Sequence, residues 1–262
     1  LDLSEAKLGR PADLTGIDLS RETIQEKYKS RGWPKAGKEP PWCIRPKSII
    51  FYLANANLDG SRFNDAKLEG ANLYGISLQG ASLMNADLRG TELTGAKLQR
   101  AILVGIQLQD AHMQGAKLMG ADLTGAQLQR AYLRYADFEN VNVWAANIQD
   151  ADLSYTNLRE VELEHALSLE GARFLGARLY LTRLRADQIT EAGEEKCRDY
   201  ESARRAYLGL KLNFKGIGYY DDARWAYLKE RAMERKSHPW YSPFWLLGWI
   251  ENIFTGYMER IW

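Results

Sequence analysis

The chain has 262 residues, with 35 basic and 34 acidic side chains and a formal net charge of +1. That balance excludes a strongly basic nucleic-acid binder and an acidic solvating tail. The hydrophobic share of 45% is that of a globular chain, and the two cysteines, Cys43 and Cys197, are too far apart for a CxxC zinc site or a disulfide framework. No apolar run is long enough to span a bilayer. The chain starts at Leu1, without a charged start leading into an apolar signal core, which is consistent with a fragment.

The first element, residues 1–19, places Leu3, Leu8, Leu14 and Leu19 at a spacing near five, with one extra residue before Leu14. Residues 20–52 interrupt it. From Ser20 to Ile50 there are eight basic and three acidic residues, and Trp33-Pro34, Pro40-Pro41-Trp42 and Pro46 suggest an ordered excursion. This insertion is either a basic arm for a partner, with Trp33 and Trp42 as contacts, or a loop folded along the rest of the chain with its charges solvated. The second is favoured.

From Leu53 to Leu163 every fifth residue is large and apolar, 23 positions in all, of which 18 are Leu. The residue two before each is Ala in 15 of the 23 cases. Neither a helix nor an ordinary strand has a period of five. A chain that turns a corner every five residues does, and four corners close one 20-residue coil. The residue two after each apolar position is Gly, Asn or Asp in 16 of 22 cases, the types that tolerate a positive φ. The series resumes after a one-residue slip at Leu169, Phe174, Leu179 and Leu184.

Runs such as Ala71-Asn72-Leu73-Tyr74-Gly75 and Ala121-Asp122-Leu123-Thr124-Gly125 resemble the A-(N/D)-L-x-x unit of the pentapeptide-repeat family. The resemblance covers residues 1–19 and 53–184. It implies a mainly β fold, a right-handed quadrilateral β-helix, with a main rod of nearly seven coils about 33 Å long. It also explains Asp87, Asp122 and Asp152 as consensus residues rather than acid–base pairs.

Open backbone edges at a rod's end invite end-to-end stacking, so a cap is expected after Leu184. Residues 185–236 supply one: Tyr200, Ala203, Tyr207, Leu210 and Phe214 make one apolar helical stripe, and Gly216 and Gly218 are expected to break the chain. A second helix follows, with Asp221 and Asp222 near its start. Its Tyr220-x-x-Ala223-Arg224-x-Ala226-Tyr227-Leu228 repeats Tyr200-x-x-Ala203-Arg204-x-Ala206-Tyr207-Leu208, so an Ala/Tyr ledge shared by two antiparallel helices is predicted.

Residues 237–262 change composition. Trp240, Tyr241, Phe244, Trp245, Trp249, Phe254, Tyr257 and Trp262 crowd into a short tail, in which Pro239 and Pro243 precede an apolar run from Phe244 to Ile250. Trp and Tyr suit a membrane interface, and the apolar run is too short to span. The hairpin, with Ala203, Tyr207, Leu210, Lys211, Gly218, Tyr220, Ala223, Tyr227, Glu230 and Arg231, is also similar to one that pentapeptide-repeat proteins carry before potassium-channel-like membrane domains. Gly256-Tyr257-Met258-Glu259 resembles, in degraded form, the element that precedes their first membrane helix.

No catalytic, cofactor or metal site is expected. His112, His165 and His238 are far apart and are read as exposed, and no nucleophile triad, HExxH, P-loop or GxGxxG occurs. Tyr132, Tyr135 and Tyr155 share one rod face, with Tyr135 and Tyr155 one coil apart. They are read either as rings stacked along the coil, which is favoured, or as a patch for a partner. The expected function is a non-enzymatic scaffold, cytoplasmic and membrane-associated, that meets a protein partner or a membrane surface through the tail, with oligomers forming through rod ends or tail. The alternative is a cytoplasmic regulatory domain of a channel-like protein. A DNA mimic, as in family members that protect DNA gyrase, is least favoured: Leu53–Leu184 holds 15 acidic and 12 basic residues, net −3, far below a duplex's density of one charge per about 1.7 Å.

Overall fold

The computed structural model describes residues 53–238. In the rod, one residue in every five forms a parallel bridge to the residue 20 further on: Asn57 to Ser77, Arg62 to Ser82, Lys67 to Asp87, Asn72 to Glu92. Four such positions per coil make a four-sided β-helix. Its β character resides in isolated bridges, and among the described residues no longer strand forms. A side only five residues long, with a corner at each end, leaves room for one bridged residue.

The pentad Ala121–Gly125 shows where the backbone bonds go. Asp122 N–H donates back to Ala101 O at 3.0 Å, and Leu123 N–H and Gly125 N–H donate forward to Asn142 O and Trp144 O, both at 2.8 Å. Ala126 N–H closes the corner on Leu123 O at 2.9 Å. Thr124 N–H finds no backbone acceptor, and Asp122 Oδ1 takes it at 3.0 Å. The same clamp runs from Tyr74 N–H to Asn72, Trp144 N–H to Asn142, Ser154 N–H to Asp152 and Arg159 N–H to Asn157. Where an Asn or Asp stands before the inward residue, it therefore serves the backbone, since an unpaired N–H at a half-buried turn is costly.

Inside, the Leu and Ala positions of all four sides are buried from Leu53 to Leu184, apart from the half-buried Ala177, with Phe63, Phe138, Phe174, Met113, Val143 and Ile148 in place of Leu. A side too short for more than two inward residues packs one large against one small, which leaves the interior filled. The slip has a definite location: a 3₁₀ turn at Leu163–His165 absorbs one residue. Beyond it partners lie 21 apart, as in Asn147 with Ser168 and Glu162 with Arg183.

After the last coil come a 3₁₀ turn at Ala186–Gln188 and three α-helices: α1 (Gly193–Lys196), α2 (Tyr200–Ile217) and α3 (Tyr220–Ser237). Asp199 caps α2 by accepting Ser202 N–H at 3.2 Å. Gly218, at φ +83°, ends it in the left-handed conformation, so Gly216 does not break the chain as expected but stays helical. Ala203, Ala206, Tyr207, Leu210 and Phe214 of α2 meet Ala223, Ala226 and Met233 of α3 in one buried layer, with Trp225 edge-on to Tyr207 at 5.6 Å. The two similar halves are not equivalent: Tyr207 is fully buried, whereas Tyr227 is exposed and Tyr220 is 74% exposed. The asymmetry follows from position, because α2 packs on both the rod end and α3.

Candidate functional site

The cap meets the last coil through a set of paired polar groups. Leu175 N–H, the donor that an Asx side chain clamps elsewhere, donates to Glu194 Oε1 at 2.7 Å. Asn213 Nδ2 donates to Thr182 O at 2.8 Å, and Gln188 Nε2 to Leu163 O at 3.0 Å. Backbone pairing continues with Gly193 N–H to Ala172 O. A side chain at Gly193 would collide with Gly171 O and Arg173, so the glycine permits this close approach. Burial pushes the Glu194 carboxyl up to about 7. Burial also opposes the charge on Glu195, but the bonds from Tyr207 Oη (2.7 Å), Lys236 Nζ (2.9 Å) and Lys229 Nζ (3.1 Å) outweigh it and hold that carboxyl below its ordinary range. Tyr207 Oη in turn accepts Ala192 N–H at 3.0 Å.

On the rod, Tyr135 and Tyr155 stack at a centroid distance of 5.1 Å, with the Arg134 guanidinium 5.6 and 5.9 Å from their ring centres. Tyr132 does not join that stack but lies on His112, at 4.7 Å. The two pairs share one side of the coil, and Tyr135 is 62% exposed. His112, His165 and His238 are all exposed. Trp33, Trp42 and the tail aromatics Trp240, Tyr241, Phe244, Trp245, Trp249, Phe254, Tyr257 and Trp262 lie outside the described residues. Among the described residues no His, Cys, Asp and Glu cluster is arranged to hold a metal ion, and no helix is long and apolar enough to cross a membrane.

The structure adds Trp144, which the sequence reasoning passed over. It is 55% exposed and lies on His165 at 4.4 Å. A cleft of about 270 Å³ opens beside it, lined by Asn140, Asn142, Glu160, Glu162 and His165 among others. The signal available was a tryptophan at an outward pentad position. Its partner was hidden because the 3₁₀ turn puts His165 at a spacing of 21 rather than 20.

Stacked four-sided coils with a filled interior and a helical cap define a solenoid whose outer surface is what it offers to other molecules. The chain belongs to the pentapeptide repeat family: the family model "Pentapeptide repeats" matches in eight copies, over residues 52–85, 66–105, 86–125, 106–144, 126–164 and 146–185. Members of the family fold as right-handed β-helices. No curated protein matches the chain. Among solved structures it is similar to the pentapeptide repeat protein Rfr23 from the cyanobacterium Cyanothece 51142, with 24% identity, 52% of this chain and 83% of that chain covered and a TM-score of 0.29. It is also similar to a pentapeptide repeat protein from the thylakoid lumen of Arabidopsis thaliana (23%; 57% and 70% covered; TM-score 0.27). A third is HetL from Nostoc sp. strain PCC 7120, involved in heterocyst differentiation regulation (24%; 71% and 88% covered; TM-score 0.19).

Proposed function

We propose that the chain is a non-enzymatic protein-interaction module that joins a membrane or a membrane protein through residues 237–262. The observation that carries the interaction reading is the pair of ring stacks, His112 on Tyr132 and Tyr135 on Tyr155, held on one face of a rigid rod. Aromatic rings fixed by stacking present contact area with little side-chain entropy left to lose on binding, and aromatics dominate interface hot spots. The membrane attachment draws on composition: four tryptophans beyond Lys236 follow a rod of ordinary surface polarity.

Truncation after Lys236 tests the anchor. The full chain should float with phosphatidylglycerol-containing liposomes, and the truncated chain should stay in the soluble fraction with an unchanged thermal transition. Retained flotation, or loss of the folding transition, sinks the anchor reading. Replacing Tyr135 and Tyr155 by Ser tests the face separately: the fold should survive, and binding of a partner to that face should fall about tenfold or more.

A further inference from the structure

We propose that the cleft at Trp144 is a docking site for an arginine-bearing peptide segment of a protein partner. The proposal deepens the interaction-module reading and rests on it, but it concerns a different side of the rod from the tyrosine stacks.

The cleft has one aromatic wall and one acidic wall. The aromatic wall is the Trp144 indole, held in place by His165 at 4.4 Å and still 55% exposed. The acidic lining is Glu160 and Glu162, and Asn140 and Asn142 also line the cleft. Glu162 is partly engaged: Oε1 accepts from Arg183 at 2.9 Å, and Oε2 lies 3.7 Å from His165 Nε2. Glu160 has no ion-pair partner among the described residues. Its backbone sits at a corner with φ 60°, where Gly, Asn or Asp is the usual choice, so a charged side chain is fixed at the rim by the fold itself.

The chemistry of the lining selects the ligand. An indole face attracts a cation, and a guanidinium does so while presenting its planar fork edge-on to carboxylates. A phosphate, a nucleic acid or an anionic lipid headgroup would face the unpaired Glu160 carboxylate and be repelled. A second cleft shares the same two carboxylates and is lined also by Leu181, Arg183 and Ile217. A peptide with an arginine beside an apolar residue could therefore place the first against Trp144 and the second against Leu181 and Ile217.

The test uses the full chain and a dye-labelled hexa-arginine peptide, read by fluorescence anisotropy at about 0.15 M salt. The peptide should bind, and hexa-glutamate should not. Trp144→Ala should weaken binding about tenfold, and Glu160→Gln, which keeps the shape and removes the charge, about fivefold. Tyr135→Ser should leave it unchanged. No binding to the full chain, or equal binding by wild type and Glu160→Gln, overturns the proposal. If Trp144→Ala shifts the thermal transition, Glu160→Gln decides alone. Truncation after Lys236 should not alter peptide binding, so loss of the anchor and loss of this site are separate results.

Discussion

At each corner of the rod one residue must adopt a positive φ, whatever its type. Gly takes it without strain, at φ 61–69° along the rod. Among the described residues thirteen corners hold other types: six are Asn or Asp, and the remaining seven, Arg100, Arg130, Tyr135, Ala145, Tyr155, Glu160 and Leu181, are driven to the same region, φ 54–61°. Each such residue costs about 1 kcal/mol relative to Gly. Neighbouring coils decide where Gly has no substitute. A Cβ at Gly176 would meet the Tyr155 ring at 2.6 Å, whereas one at Gly80 would meet nothing within 4 Å. Gly80→Ala should therefore cost about 1 kcal/mol, the backbone effect alone, and Gly176→Ala roughly twice that in urea unfolding. Adding Tyr155→Ala to Gly176→Ala should recover part of the difference, and equal midpoints for the two single variants would refute the contact. At an inward position, Ala101→Phe should cost a few kcal/mol by overfilling a filled coil. The inward positions and most corners were legible in the sequence because each pentad repeats one backbone requirement. The reason for the Asx consensus was not, since it depends on which N–H lacks a partner.

The helical cap was legible as an apolar stripe and a glycine break, but its join to the rod was not. Glu194 and Glu195 stand next to each other on α1, a four-residue helix without a periodic signal, and only the fold separates their roles. One replaces the missing Asx clamp of the last coil; the other gathers Tyr207, Lys229 and Lys236. Their pH dependences have opposite signs. Glu194 is 4% exposed, and burial raises its carboxyl to about 7 from an ordinary value of 4.5. The folded state therefore holds this proton more tightly than the unfolded state. The stabilisation is complete below pH 4.5 and is lost as pH rises through about 7, on the order of 3 kcal/mol in all. Glu195 is depressed, so its contribution is present above pH 4.5 and is lost on acidification below it. Between pH 5 and 8 the cap should loosen, visible as faster amide exchange in α1 and α2, and Glu194→Gln should remove that slope. A slope unchanged in Glu194→Gln would place its origin elsewhere. Tyr207→Phe should cost about 1–3 kcal/mol, because it leaves the buried Ala192 N–H without its acceptor.

For the whole molecule, the governing problem is that a β-helix has ends. Every coil offers N–H and C=O groups to the next, and the same groups on the last coil would serve a second copy equally well. The cap consumes them with partners of different kinds: Glu194 for Leu175 N–H, Asn213 for Thr182 O, Gln188 for Leu163 O, and the Gly193 backbone for Ala172 O. Charge gives little further protection, because a rod of net −3 repels its own kind weakly at physiological salt. A chain truncated after Leu184 should therefore self-associate end to end, giving concentration-dependent mass by light scattering and a maximum dimension by X-ray scattering that grows in one direction only. In the full chain, the double change Asn213→Ala and Gln188→Ala frees Thr182 O and leaves Leu163 O with only its Ala166 N–H donor, without removing the helices, and it should give the same trend at higher concentration. Monomeric behaviour of both proteins at about 100 μM would mean that the last coil needs no cover. The helices would then stand at the rod's end for some purpose other than guarding its edge.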